Sequence, residues 1–185
     1  MNATHADLLL LHAWRHPRVA DADGRCLGRT DLPVDPRRAR RLAYRIRAHA
    51  RRHALPQIVV TSPLQRCRAV GRWLASWGWQ HRVDAALVEL DFGRWDGHLW
   101  SAIPTQDIAA WCTNFEHHAP GGGEPVGRLL QRVRDFDPGT ARIIVTHGGW
   151  LSAAVWLARA ANELPCSERW PAPPKHGDRL DLGGQ

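Results

Sequence analysis

Two histidines and two arginines stand where polar residues close three predominantly apolar runs. Arg15 and His16 end the run Leu8–Trp14, and His147-Gly148-Gly149 follows Arg142–Thr146. Arg66 lies one helical turn beyond Thr61-Ser62-Pro63, which closes Gln57–Thr61. A neutral imidazole is a competent nucleophile toward phosphorus, and a guanidinium presents paired N–H donors that match phosphate oxygens. Neighbouring arginines penalise an imidazolium, so they favour a neutral His16. A single histidine after a strand is an ordinary hydrogen-bonded structural residue. Four such groups brought to one sheet edge would be an anion site with a nucleophile in it.

The elements that must position them follow from periodicity. Asp35 and Pro36 suit the N-cap and first turn of a helix, with Ala39, Leu42, Ala43, Ile46 and Ala50 at helical spacing behind them. Ser62-Pro63 is expected to open a second helix running to Trp77 and closed by Gly78, with Ser62 as N-cap rather than phosphate ligand. Helical patterns recur over Pro104–Phe115, Glu124–Phe136 and Trp150–Ala161, the last apolar on nearly all sides. A short apolar stretch spans Ala86–Leu90, and a last strand is expected near Asp178–Leu182. Alternation of this kind predicts one α/β domain over residues 1–185, three-layered α/β/α, with a mostly parallel sheet and helices on both faces. Such sheets bind ligands outside the carboxyl ends of their strands. If the three runs are parallel neighbours, their polar ends meet there.

Composition narrows the class. The chain has 185 residues, 44% hydrophobic and 23% charged, ordinary for one globular domain with a real core. Its longest early aliphatic run, Leu8–Leu11, is too short to span a bilayer and lacks the flanks of a leader, so a cytoplasmic protein without membrane association is expected. Cys26, Cys67, Cys112 and Cys166 form no CxxC pair and read as reduced thiols. His117-His118 sits in a loop, and His12 and His16 lie on a strand rather than a helix, so no metal site is expected. The net charge is +7, and Lys175 is the sole lysine. A nucleic-acid-binding module would want a basic stripe interleaved with stacking aromatics. The arginines of Arg37–Arg52 instead fill the outer face of an amphipathic helix, so no nucleic-acid partner is expected, and the excess charge alone does not name the anion it would attract.

Five segments together resemble the histidine phosphatase (phosphoglycerate-mutase-like) superfamily. Arg15-His16 resembles its first signature, Ser62-Pro63-Leu64-Gln65-Arg66-Cys67 its second, and Val88–Gly97 its acid-bearing motif. Pro120–Val126, containing Gly122-Gly123-Glu124, is similar to its Pro-Gly-Gly-Glu stretch, and His147-Gly148-Gly149 to its last motif. Each is weak alone. Five in family order over roughly residues 8–160 are specific.

The resemblance implies a metal-independent phosphomonoesterase that uses no cofactor, takes a small phosphorylated metabolite as its partner and passes through a phosphohistidine on His16. Arg15, Arg66 and His147 would hold the phosphoryl oxygens. Gly148 opens a helix whose free N–H groups favour an anion. Glu89 matches the proton donor to the leaving alkoxide and then the base for water; Asp91 and Glu124 are the other acids nearby. Pro17 replaces the family's usual glycine and removes an N–H. Pro125 replaces a frequent serine at a helix's first turn, where proline is tolerated. The Arg-His-Pro variant, the segment Gly24–Pro33, Phe92–Gly97 and the terminal Trp170-Pro171 and His176-Gly177 pairs look like the alpha-ribazole phosphatase branch of cobalamin assembly. Trp95 and Trp150, which flank motif residues, are the candidate walls for a substrate ring. The other readings are a phosphatase for another small phosphomonoester, of sugar-phosphate or phosphoglycerate type, and a non-catalytic phosphate- or nucleic-acid-binding module.

Overall fold

A computed structural model describes residues 10–160 and 163–183. Five strands form one sheet: β1 (Leu11–Arg15), β2 (Ile58–Thr61), β3 (Gln80–Val83), β4 (Ile143–Thr146) and β5 (Arg179–Leu182), in the order β3-β2-β4-β1-β5. β3, β2, β4 and β1 run parallel, and β5 pairs antiparallel with β1 along the edge. The expected mostly parallel sheet is what the chain builds.

Period-two alternation divides the strands between two cores. Trp14, Val59, Ile143 and Val145 point to one face, where α1 (Pro36–Arg52) lays down Leu42 and Ile46 and α2 (Gln65–Ala75) lays down Val70 and Leu74. Ala13, Val60 and Ile144 point to the other, against Leu129 and Leu130 of α4 (Val126–Arg134) and Leu151 and Trp156 of α5 (Gly148–Ala160). Burial on both faces is why these strands read as continuous apolar runs. α3 (Thr105–Thr113) stands apart beside a smaller cluster of Cys26, Trp95 and Ile103.

Local signals account for most boundaries. Asp35 caps α1 by accepting the Arg37 N–H at 2.8 Å, with Pro36 in the first turn. α2 begins two residues later than expected, at Gln65, and the residue in its cap position, Leu64, offers no side-chain acceptor. Ser62 is therefore not its N-cap. β3 was not expected from the sequence, because Gln80-His81-Arg82-Val83 is a half-exposed edge strand with no apolar period. Leu8, Leu9 and Ala161, the outer ends of two expected elements, lie outside the described residues.

Candidate active site

The carboxyl ends of β1, β4 and β2 lie side by side, with Arg15 opposite Thr146 and Thr61 opposite Val145. The ladder continues one residue further, through His16 N–H to the Thr146 carbonyl at 3.0 Å and Ser62 N–H to the Val145 carbonyl at 3.1 Å. Register alone thus delivers the three polar strand ends to one place. They border a cavity of about 310 Å³ whose wall includes Arg15, His16, Arg66, Glu89, Gly148 and His176.

His16 is almost fully buried, and its Nδ1 lies 2.8 Å from the Pro17 carbonyl. A carbonyl only accepts, so Nδ1 carries the proton and Nε2 keeps its lone pair at the cavity wall. Burial, helped by the Arg66 charge, pushes this imidazole well below its ordinary pKa. Pro17 therefore takes an N–H from the site but supplies the carbonyl that selects the tautomer. His176 packs on the other side, ring centroids 5.0 Å from His16, with its Nδ1 3.2 Å from the His16 carbonyl. It entered the sequence reading only as part of a terminal motif; its place in the cavity depends on β5 returning beside β1.

Arg66 is held on three sides. Its Nη2 donates to the Gly28 carbonyl at 2.6 Å, Nη1 to the Thr30 carbonyl at 2.7 Å, and Nε to His147 Nδ1 at 3.2 Å. Five donors less three leaves two N–H groups for a ligand. Arg15 is fixed by an Nη1 bond to the Pro174 carbonyl at 2.7 Å, and burial lowers its pKa.

His147 is brought beside His16, ring centroids 5.1 Å apart, but it sits one layer behind the wall. It is fully buried, and its Nε2, which carries the proton when Arg66 donates to Nδ1, donates to Ser62 Oγ at 2.7 Å. The expected direct grip of His147 on a phosphate oxygen is revised accordingly: in this arrangement both ring nitrogens are engaged and its influence runs through Arg66. Burial and the Arg66 charge push its pKa well down too.

The loop that fixes Arg66 is itself fixed by Asp96, which accepts N–H bonds from Gly28 at 2.9 Å, Arg29 at 2.6 Å and Thr30 at 2.8 Å. Sequence reading missed this role, although Asp96 lies inside the acid-bearing motif. Asp96→Ala should release the loop and misplace the guanidinium, weakening the affinity for inorganic phosphate about tenfold or more. Titration calorimetry would read this, and an unchanged Kd would mean that Arg66 is held by its own packing.

Glu89 is mostly buried, and its carboxylate accepts from Gly149 N–H at 2.9 Å and from its own neighbour Leu90 N–H at 3.0 Å. A Cβ on Gly149 would run into the Glu89 carboxylate, so a larger residue at the start of α5 would have to push this acid aside. The other two acids serve elsewhere. Asp91 accepts from Gly93 N–H at 2.8 Å. Glu124 grips Arg132 through both oxygens, at 3.2 and 2.7 Å, and Arg132 in turn donates to the Ala86 and Val88 carbonyls just before Glu89. Glu124 thus anchors the acid-bearing segment from behind.

Neither expected wall tryptophan borders the cavity. Trp150 is buried in the core, with its Nε1 bonded to the Ala86 carbonyl at 2.9 Å and its ring against Phe136. Trp95 is buried with Cys26 and Ile103. Trp100 and Phe92 face the cavity instead, with Arg25. Flanking a motif in sequence did not predict facing the site, because Trp150 lies in α5 and Trp95 in a 3₁₀ turn, where residues one or two apart point in different directions. Among the described residues, no group of three or more His, Cys, Asp or Glu is placed to hold a metal ion, and no helix is long and apolar enough to cross a membrane.

The buried imidazoles make stability depend on pH. His16 and His147 titrate well below 6.5 in the fold but near 6.5 when unfolded. The unfolded chain then binds more protons below pH 6.5, so stability is complete above that value and is lost as pH falls toward the folded values. Lowering the pH from 6.5 to 5 should therefore lower stability, and His49, pushed down to about 4 chiefly by burial, acts in the same direction. Urea midpoints across this range measure the effect; a constant midpoint would mean that these rings are solvated.

The sequence model of the Histidine phosphatase superfamily (branch 1) matches residues 11–173. The Adenosylcobalamin/alpha-ribazole phosphatase of Salmonella typhimurium is 29% identical over 130 residues, covering 64% of this chain and 63% of that protein, so the chain spans less than two thirds of this relative's length. Among solved structures, TTHB049 from Thermus thermophilus aligns over 94% of this chain and 92% of its own, with TM-score 0.66 and 28% identity. The alpha-ribazole phosphatase from Shigella flexneri aligns over 94% and 89%, with TM-score 0.70 and 22% identity. The mycobacterial glucosyl-3-phosphoglycerate phosphatase aligns over 95% and 91%, with TM-score 0.73 and 23% identity. The last two likenesses concern the fold alone.

Proposed function

Because the chain belongs to the histidine phosphatase superfamily, we propose that it is a phosphomonoesterase in which His16 Nε2 carries the phosphoryl group from substrate to water. One observation carries this reading. The Pro17 carbonyl holds the Nδ1 proton of a buried His16, leaving Nε2 free in a cavity shared with Arg15, Arg66 and Glu89.

The chemistry takes two balanced steps. The Nε2 lone pair attacks phosphorus, the bond to the leaving oxygen breaks, and Glu89 gives that oxygen a proton. Glu89, now a carboxylate, takes a proton from water as the water oxygen attacks phosphorus and the P–N bond breaks. Inorganic phosphate leaves and neutral His16 is restored. Arg15, the two spare donors of Arg66 and the Gly148 N–H at the start of α5 balance charge on the equatorial oxygens throughout. Ser62 and His147 keep Arg66 aimed.

The substrate we propose is alpha-ribazole 5'-phosphate. Its support is the Salmonella relative and the resemblance of the segments Gly24–Pro33 and Phe92–Gly97 to that branch. Rapid quenching of a reaction with a ³²P-labelled ester, in EDTA, should yield an acid-labile, alkali-stable phosphoenzyme with label on His16. Label on serine or cysteine would end the mechanism, and so would dependence on an added divalent ion. Under the same conditions kcat/KM for alpha-ribazole 5'-phosphate should exceed that for ribose 5-phosphate and 3-phosphoglycerate about tenfold or more. Parity with ribose 5-phosphate would remove the substrate and leave the phosphatase.

A further inference from the structure

The catalytic cavity adjoins a second one. Glu89, Phe92 and Gly149 line both, and beyond them lies an apolar space of about 290 Å³ walled by Trp111, Phe115, Leu129 and Trp170. Among the described residues, no cation lines it, and Glu89 and Ser167 are its only oxygen-bearing side chains. Its size lies near the low end of the roughly 300–1,000 Å³ usual for small-molecule sites. The walls form one aromatic array, with ring centroids 5.9 Å apart for Phe92 and Trp111, 5.1 Å for Trp111 and Phe115, and 5.3 Å for Phe115 and Trp170. α3 contributes Trp111 and Cys112, and none of its residues is buried: Trp111 packs against the core on one side and borders this space on the other.

Displacement at phosphorus proceeds in line, with nucleophile and leaving oxygen on opposite sides. His16 attacks from one side, and in the mechanism above Glu89 protonates the leaving oxygen, so the leaving group lies beside Glu89. Glu89 lines both cavities, so the apolar one is room into which the rest of the leaving group can extend. We infer that Trp111, Phe115 and Trp170 form a leaving-group subsite that selects phosphomonoesters whose alcohol carries a flat, uncharged aromatic ring. The subsite rests on the phosphatase reading above and goes beyond it by assigning the residues that choose the substrate class. Aromatic walls offer a ring both faces and edges, whereas a carboxylate or a polyol would be desolvated there without partners.

The test compares two primary alkyl phosphates, whose leaving oxygens make the same demand for a proton: 2-(1-naphthyl)ethyl phosphate and glycerol 3-phosphate. The unaltered protein should prefer the naphthyl ester by about tenfold or more in kcat/KM, and Trp111→Ala should cut that ratio at least about fivefold. A second arm avoids any change in the aromatic walls. In a Cys166→Ala protein, N-ethylmaleimide should reach Cys112, since Cys26 and Cys67 are buried and burial pushes both thiols up, Cys26 to about 12. The adduct should collapse the same ratio, and 1-naphthaleneethanol, but not glycerol, should slow its formation. A ratio unmoved by both Trp111→Ala and the adduct, with both esters still hydrolysed, overturns the subsite and leaves the phosphatase standing. If the unaltered protein hydrolyses neither ester, the phosphatase reading fails, and protection of Cys112 alone decides whether the cavity takes aromatic ligands.

Discussion

His16→Ala should lower kcat by at least about 10⁴-fold for every ester, whatever its leaving group. Removing a covalent nucleophile forces water to attack directly, with only the electrostatic cradle left to help, and losses of this order follow when the nucleophile of a cooperating set is deleted. The cradle should survive. The imidazole makes one side-chain hydrogen bond, to the carbonyl of Pro17, whereas Arg15 and Arg66 are fixed by other residues. The variant should therefore still bind inorganic phosphate with Kd within a few-fold of the unaltered protein, while forming no phosphoenzyme. Quench-flow with labelled ester and titration with phosphate measure the two halves. Full turnover in His16→Ala would remove covalent catalysis, and loss of phosphate binding would show that the imidazole is a ligand rather than a nucleophile.

Glu89→Gln separates proton transfer from shape. The amide is nearly isosteric and its carbonyl oxygen can still accept from Gly149 N–H, so the helix start should stay in place. What it lacks is a transferable proton. An alkyl phosphate, whose alkoxide is a poor leaving group, should lose roughly two to four powers of ten in kcat. A p-nitrophenyl ester barely needs the proton in its first step and should lose much less, with burst kinetics if dephosphorylation, which needs the base, becomes slow. Equal losses on both esters would reduce Glu89 to a residue that shapes the pocket.

Much of this protein was legible in the chain itself. The apolar runs ending at Arg15, Thr61 and Thr146 declared buried parallel strands, because strands covered on both faces must be apolar throughout. The polar residues that close those runs could then lie only at the carboxyl edge, so Arg15, His16, Arg66 and Gly148 reached the cavity as the spacing required, whereas Glu89 was expected there only from the family resemblance. The conformation of the start of α5 was legible too, in the two glycines after His147. What no spacing could reveal are contacts between segments distant in sequence. Asp96 reaches back to the Gly28–Thr30 loop, His176 arrives with the tail, and Glu124 braces Glu89 through Arg132; each of these pairings is made across the fold. Ser62 reads as a helix cap because Ser-Pro is a local signal, yet its hydroxyl is claimed by His147, 85 residues away. The same cause explains the tryptophans. Ten of them made an aromatic wall foreseeable, but position beside a motif does not set which way a ring points. Packing sent Trp95 and Trp150 into cores and left Trp100, Trp111 and Trp170 at the cavities, since side-chain direction is settled only when helices and loops close over the sheet. Sequence thus determined which groups meet at the strand ends, through a period that each run carries within itself. Tertiary structure decided how they are aimed and what ring they face, because those depend on long-range partners that local periodicity does not encode.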